Sequence, residues 1–219
     1  MCGICGKLNF DINNEVDKGL IKKMCDTLIH RGPDDQGYYI NKNIGLGMRR
    51  LSIIDLNTGH QPISNENQKI WIVFNGEIYN YKELKQDLIK KGHQFKTGSD
   101  TEAIIHLYEE YDVDCLKLLR GMFAFAIYDS LSHELFLCRD HIGQKPLYYT
   151  YKNGHFIFSS ELRSIIKHPA VDPRVDIESL LKYNLYDFAP YDKSILKGVY
   201  KLPPAHYLKL KDGKISLHR

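Results

Sequence analysis

Cys2 is the residue whose position in this sequence most directly suggests chemistry. A small second residue allows removal of Met1, which leaves Cys2 with a free α-amine. That amine has a pKa of about 7.7 to 8.0 and stands beside a thiol with a pKa of about 8.5. The amine can therefore accept the thiol proton while the sulfur attacks an electrophile, and no His or Asp partner is required. The alternative, an inconsequential second residue, is favoured by composition alone.

The other four cysteines are interpreted as buried structural thiols: Cys5, Cys25, Cys115 and Cys138. The spacing of Cys2 and Cys5 resembles a redox or zinc motif, but the ten histidines never fall at metal-ligand spacing with the cysteines. We therefore predict no metal site. An odd number of cysteines without a repeated spacing also argues against a disulfide framework.

Asn75 and Gly76 follow the apolar run 70–74 and have two interpretations. An Asn-Gly pair between apolar segments is the leading short signal for a hairpin turn, and we expect a turn on local grounds. In the alternative, the Asn side-chain amide and the Gly backbone N–H donate together to a developing oxyanion.

Arg50 and Asp100 also have a functional and a local interpretation. Arg50 lies in the predicted strand 47–54, where a buried guanidinium needs an acceptor. A ligand carboxylate or an internal Asp or Glu would serve. Asp100 precedes a helical pattern, and its favoured interpretation is the helix N-cap.

Composition narrows the class of protein. The chain has 219 residues, 43% hydrophobic residues, 26% charged residues and a formal net charge of +3, values typical of a folded globular domain. Scattered basic residues argue against nucleic-acid binding. The sequence has no apolar stretch of membrane-spanning length, no signal-like N-terminus and no glycine-rich phosphate loop, so we expect a cytoplasmic protein that binds neither membranes nor nucleotides.

The apolar spacing predicts three helices, over 16–29, from Asn80 to Gly92, and after Ser99-Asp100. Asn80 and Glu83 resemble a capping box, and Gly92 is a left-handed stop. Strands are predicted at 47–54, 69–74, 122–128, 134–138 and 155–159, followed by a hairpin, 207–210 and 214–217, around Asp212-Gly213. Helices and strands occur in blocks, which favours an α+β fold. The chain after about residue 161 is read as an extension of the same domain.

Eight segments in one order resemble the glutaminase domain of glutamine-hydrolysing asparagine synthetases of the asparagine synthetase B type. They are MCGI (1–4), RGPD (31–34), RLSIID (50–55), GHQP (59–62), FNGEIYN (74–80), SDTE (99–102), GMFAF (121–125) and KPLYY (145–149). The resemblance implies a class II glutamine amidotransferase domain over residues 2–219. It also implies an N-terminal-nucleophile (Ntn) hydrolase fold, an αββα four-layer sandwich of two antiparallel sheets.

The resemblance also assigns roles. Cys2 would attack the side-chain amide of glutamine, forming a thioester and releasing ammonia, and water would then release glutamate. Asn75 and Gly76 would hold the oxyanion. The substrate α-carboxylate would bind Arg50 and the backbone of Leu51, Ile53 and Ile54, and the α-ammonium would bind Glu77 and Asp100.

A second domain follows in the family, and it would use ATP and Mg²⁺ to amidate aspartate with the released ammonia. No Ser-Gly-Gly-x-Asp-Ser pyrophosphate loop occurs in this sequence, and segment 139–144 departs from the usual Arg-Asp-Arg-Phe-Gly run. We therefore expect no cofactor for this domain and a C-terminal synthetase domain or subunit as ammonia acceptor. The full-length enzyme could form a homodimer. We favour a truncated or excised domain of an asparagine synthetase over a short protein serving a separate partner. Delivery of ammonia to another acceptor, or a non-catalytic regulatory module if Met1 is retained, are the alternatives.

Overall fold

The computed structural model describes residues 1–189 and 191–219. Its α-helices are α1 (Lys18–Asp26), α2 (Tyr81–Lys90), α3 (Asp100–Tyr111), α4 (Leu162–Ile165) and α5 (Ile177–Tyr186), with a 3₁₀ helix at Asp112–Lys117. Its strands are β1 (Gly3–Asn9), β2 (Asp35–Asn41), β3 (Ile44–Arg50), β4 (Ile63–Ser64), β5 (Ile70–Ile78), β6 (Gly121–Asp129), β7 (Glu134–Arg139), β8 (Tyr148–Lys152), β9 (His155–Ser159), β10 (Tyr200–Lys201), β11 (Tyr207–Lys211) and β12 (Lys214–His218).

The strands form two six-stranded antiparallel sheets. The first sheet has the order β10-β8-β9-β1-β3-β2, and the second has the order β12-β11-β7-β6-β5-β4. Strands β10 to β12 pair into both sheets, so the C-terminal segment is part of the same fold. Within the described residues, no helix is both long and apolar enough to span a bilayer.

Three apolar cores separate four layers. The central core lies between the two sheets and contains side chains such as Ile4, Leu46 and Val73. A second core lies between the second sheet and helices α2 and α3, and a third lies between the first sheet and helices α1 and α4. The predicted α+β class and the αββα sandwich are confirmed.

Predictions from short sequence patterns were confirmed where a segment's conformation depends on its own residues. The helix predicted over 16–29 is present as α1, capped by the Asp17 side chain, which accepts from Gly19 N. Gly92 ends the α2 region with a φ of 104°. Asp212 and Gly213 have φ angles of 51° and 71°, as a tight hairpin turn between β11 and β12 requires.

The Asn80 cap and the extent of the strand predicted over 47–54 were wrong, and several elements were not predicted: β1, β2, β4, β8, β10, α4 and α5. The Asn80 side chain does not cap α2. It bonds instead to the backbone of the segment before β6, at Leu118 O and Arg120 N. The strand predicted over 47–54 ends at Arg50. There the chain turns back, and the Arg50 guanidinium binds carbonyl oxygens of the turn that follows.

Candidate active site

Two neighbouring strands of the first sheet direct inward-facing side chains to one end of the central core. Successive residues of a strand point to opposite faces. Cys2 therefore points to the same side as the core residue Ile4, and Arg50 to the same side as Met48. Since β1 and β3 are antiparallel, the start of β1 lies beside the end of β3. Cys2 and Arg50 consequently reach one pocket.

Strand β5 of the second sheet supplies the opposite wall. Val73 lies in the central core, and Asn75 and Glu77 continue the same face beyond it. The pocket has a volume of about 150 Å³, smaller than the range of about 300–1,000 Å³ typical of sites for drug-sized molecules. Its size suits a small ligand.

The pocket collects every residue to which the sequence assigned a role. Its lining contains Cys2, Arg50, Leu51, Ile53, Ile54, Asn75, Gly76, Glu77 and Asp100. These residues come from β3, β5, α3 and the segments next to β1 and β3. The sequence positions are up to 98 residues apart, so only the fold brings them together.

The Cys2 thiol is held by the loop after β3. Leu51 N donates to Cys2 Sγ at 3.4 Å, and Arg31 Nε donates to Cys2 O at 2.8 Å, which fixes the backbone below the thiol. Burial raises the pKa of the thiol, with the Leu51 N–H opposing that shift. A protonated thiol needs a base in order to attack. In this structure Cys2 N is in a peptide bond with Met1 and cannot accept that proton.

Asn75 and Gly76 do not form a turn. Both lie inside β5, where they pair with Ala124 and Phe123 of β6. The hairpin prediction was wrong because the pairing with β6 continues through this position and overrides the local Asn-Gly preference. Glycine is required by close approach, since a Cβ atom at residue 76 would lie 2.2 Å from Met122 O.

Two N–H donors at this position are free to meet a ligand. The Asn75 Nδ2 atom is buried without a hydrogen-bond partner. Phe74 N donates to the side chain of Gln61, and Ile78 N donates to the side chain of Asp100, so both N–H groups point away from β6. Alternation along the strand directs the Gly76 N–H to the same side, toward the pocket.

Arg50 is buried without a carboxylate partner. Its Nη2 donates to Ile54 O at 2.8 Å and Asp55 O at 2.6 Å, and within the described part of the chain it forms no ion pair. The internal acceptors are therefore carbonyl oxygens, not the internal Asp or Glu considered from the sequence. Gly59 allows this packing, since a Cβ there would lie 2.4 Å from Arg50 Nη2.

Asp100 is the first residue of α3 and not its cap. Ser99 caps the helix, with its Oγ accepting from Thr101 N at 3.2 Å. This leaves the Asp100 carboxylate to accept from Ile78 N at 2.9 Å, which ties the helix start to β5. Burial raises the pKa of Asp100, and the hydrogen bonds from Ile78 and Thr101 oppose that shift. A bound cation would compensate this buried acid.

The sequence interpretation did not assign roles to Gln61 and Lys145, which also line the pocket. Gln61 connects β5 to α3, since its Oε1 accepts from Phe74 N at 2.7 Å and its Nε2 donates to Thr101 Oγ1 at 3.2 Å. Lys145 is 6% exposed, and its Nζ donates to Met1 Sδ at 3.5 Å. Both residues lie in segments that carried the family resemblance, which was the only signal for them.

The group of side chains that could hold a metal ion lies outside the pocket. It consists of Glu66, His93, His106 and Glu109, and it is the one such group found in residues 1–189 and 191–219.

Comparison with known proteins agrees with the geometry. A family model described as a glutamine amidotransferase domain matches residues 1–219. The chain belongs to this family. Asparagine synthetase [glutamine-hydrolyzing] 1 of Bacillus subtilis (strain 168) is 42% identical over 219 residues, covering 99% of this chain and 34% of that protein. Asparagine synthetase [glutamine-hydrolyzing] 2 of the same organism is 46% identical over 171 residues, covering 77% and 23%.

The amidotransferase domain thus spans about a third of the length of the curated relatives that it matches most fully. Among solved structures, glutamine phosphoribosylpyrophosphate amidotransferase from B. subtilis superposes with a TM-score of 0.70 at 19% identity, covering 100% of this chain and 49% of that one. At this identity the similarity concerns the fold. The two stacked antiparallel sheets are the fold that the chain shares with that amidotransferase.

Proposed function

We propose that this domain hydrolyses glutamine to glutamate and ammonia with the Cys2 thiol as nucleophile. One observation carries the proposal. A thiol, an unpartnered buried amide donor, a buried guanidinium and a buried carboxylate line the same small pocket. Glutamine presents an amide carbon for the thiol, and a carboxylate and an ammonium for the two charged groups.

Cleavage of the Met1–Cys2 bond is the first requirement. It converts Cys2 N from an amide into an amine, and the amine then accepts the thiol proton. It also removes the Met1 side chain, which lines the pocket in this structure. The base and the space for substrate therefore appear in one step.

The first acyl transfer begins when Cys2 Sγ attacks the side-chain amide carbon. The carbonyl oxygen becomes an oxyanion, which accepts hydrogen bonds from Asn75 Nδ2 and Gly76 N. As the tetrahedral intermediate collapses, the carbon–nitrogen bond breaks and the leaving nitrogen takes a proton from the α-ammonium of Cys2. Ammonia departs and a thioester remains.

The second acyl transfer reverses these roles. The α-amine removes a proton from water, the resulting hydroxide attacks the thioester carbon, and the same two donors hold the second oxyanion. The carbon–sulfur bond breaks, Cys2 regains its proton, and glutamate leaves. No step in this scheme requires a metal ion or an organic cofactor.

Opposite charges orient the substrate. The Arg50 guanidinium and the backbone of Leu51, Ile53 and Ile54 would bind the α-carboxylate. Asp100 and the half-buried Glu77 would bind the α-ammonium, since neither is engaged in an ion pair among the described residues. A zwitterion with a side-chain amide satisfies both ends of the pocket.

We further propose that the ammonia passes to a C-terminal synthetase region which uses ATP and Mg²⁺ to convert aspartate to asparagine. Support comes from the names and lengths of the relatives and from an unpartnered apolar stripe on α5. Ile177, Leu181 and Leu185 recur at helical spacing and are 64%, 64% and 72% exposed. Such a stripe suits contact with a further domain. We also propose a cytoplasmic location for this reaction.

The decisive experiment measures glutamate release from glutamine by the purified protein, with the mass of its N-terminus determined on the same sample. We expect turnover from chains that begin at Cys2 and none from Cys2→Ala. A chain that retains Met1 should be inactive and would act as a regulatory module. Full turnover by Cys2→Ala, or by a chain with Met1 attached, would overturn the mechanism.

A further inference from the structure

Four metal-ligand side chains meet on the helix-covered side of the second sheet. His106 and Glu109 lie on consecutive turns of one face of α3, Glu66 lies in the turn after β4, and His93 follows the end of α2. None of them lines the glutamine pocket. His106 lies six positions after Asp100 in α3, about 9 Å along the helix axis.

The distances in this cluster are those of ligands around a common centre. Each imidazole Nδ1 faces both carboxylates. His93 Nδ1 lies 3.3 Å from Glu66 Oε1 and 4.0 Å from Glu109 Oε2, and His106 Nδ1 lies 3.5 Å from Glu66 Oε2 and 3.1 Å from Glu109 Oε2. Charged N–H···O bonds are usually about 2.7–2.9 Å long, so the contacts at 3.1 and 3.3 Å are long hydrogen bonds, and those at 3.5 and 4.0 Å are ion pairs without a hydrogen bond.

A tetrahedral zinc site predicts separations of this size. With metal–ligand distances of about 2.0–2.1 Å, neighbouring ligand atoms stand about 3.3 Å apart. The four separations, which involve both carboxylate oxygens of Glu66, run from 3.1 to 4.0 Å and bracket that value, and one ligand atom from each of the four residues lies within 4.8 Å of the others. A single N–H cannot point at two carboxylates at once, whereas one cation can accept a lone pair from all four groups.

The outer atoms of His93 and Glu109 are held by neighbouring side chains. His93 Nε2 lies 3.2 Å from Glu110 Oε1, whereas His106 Nε2 is buried without a hydrogen-bond partner, 3.7 Å from Glu102 Oε1. Asn65 Nδ2 donates to Glu109 Oε1 at 2.7 Å, and Gln94 N donates to Glu66 Oε1 at 3.1 Å. Carboxylates behind histidines and donors behind carboxylates are the usual second layer of protein metal sites.

We propose that Glu66, His93, His106 and Glu109 bind one Zn²⁺ ion in a closed structural site. Two carboxylates neutralise the charge of the ion, and two neutral imidazoles complete a tetrahedral set. With four protein ligands no position remains for water, so the ion ties the loops at residues 66 and 93 to α3. The sequence argument against zinc considered cysteine and histidine spacings and therefore missed a site made of histidine and glutamate.

Protonation of a histidine is the other way to balance the negative charge of this cluster. Burial lowers the pKa of His106, but the neighbouring carboxylates of Glu102 and Glu109 outweigh it and raise the pKa to about 9. A chain without metal is therefore stabilised by an imidazolium, and zinc must displace that proton. The experiment has to distinguish an ion from a proton.

The test uses the whole chain, treated with a chelator and then titrated with Zn²⁺ against a chromophoric competitor. We expect one ion per chain with micromolar or tighter affinity. The variants Glu66→Gln and His93→Gln change residues of loops rather than the buried helix face, and each should weaken binding at least about tenfold. His133→Asn removes a histidine outside the cluster, at a residue whose φ of 54° asparagine tolerates, and should leave the affinity unchanged.

Two further readouts locate the ion. Co²⁺ in place of Zn²⁺ should give the intense visible absorption of a tetrahedral site, which is lost in His93→Gln. Cys2→Ala should bind Zn²⁺ as the unmodified chain does. Three results would each overturn the proposal. They are the absence of saturable binding, binding by both loop variants that is as tight as in the unmodified chain, and loss of binding in Cys2→Ala, which would place the ion at the thiol.

Discussion

Replacing Asn75 by alanine should separate catalysis from stability. Asn75 Nδ2 is buried and has no hydrogen-bond partner, so the substitution removes no existing bond. An unsatisfied buried donor costs about 1–3 kcal/mol of stability. The substitution removes this cost, which offsets the packing lost with the side chain. We therefore expect the free energy of unfolding to stay within about 1 kcal/mol of its original value. Loss of one oxyanion donor should lower kcat by about 10²–10³, equivalent to about 2.7–4 kcal/mol.

Asn9 provides a matched control, because it is the last residue of β1 and lies at the end of that strand away from Cys2. Both asparagines are 1% exposed, but Asn9 is fully bonded. Its Nδ2 donates to Asn14 O at 2.6 Å, and its Oδ1 lies 2.8 Å from His155 Nδ1. Asn9→Ala should therefore lose about 1–3 kcal/mol of stability while kcat is retained.

The assay combines glutamate release at saturating glutamine with urea unfolding of the same preparations. The two variants should give opposite results, Asn75→Ala inactive but stable and Asn9→Ala active but destabilised. If Asn75→Ala kept more than a tenth of the original kcat, or lost stability as Asn9→Ala does, the side chain would be a structural element and not an oxyanion donor.

Three further predictions concern the same pocket. Gly76→Ala should reduce both stability and turnover, because the new Cβ would meet Met122 O; unchanged urea unfolding would refute the close approach. Arg50→Lys should raise KM for glutamine at least about tenfold with a smaller change in kcat, since lysine cannot bind the loop carbonyls and a carboxylate together; equal KM values would exclude Arg50 as the carboxylate ligand. Lys145→Met should move the acidic limb of the kcat/KM profile to higher pH, because removing a nearby ammonium raises the pKa of the Cys2 α-amine; an unmoved limb would place Lys145 too far from that amine.

The amino-acid sequence alone determined the features that arise from short-range geometry. Apolar spacing located α1 and α3, and the Asp212-Gly213 turn located the last hairpin. Buried cysteines and the α+β class were also confirmed. The family resemblance identified the four-layer sandwich and selected the site residues, whose catalytic roles remain predictions.

The tertiary structure decided the positions where local and long-range preferences compete. Asn75-Gly76 has the composition of a turn, yet pairing with β6 keeps it in a strand and leaves its donors facing the pocket. Asp100 has the composition of a cap, yet Ser99 takes that role and frees the carboxylate. In the first case a strand distant in the sequence satisfies the backbone, and in the second the adjacent Ser99 caps the helix while the Asp100 carboxylate binds Ile78 N of β5. Local pattern describes what a segment prefers alone, and packing selects which groups remain unpaired for chemistry.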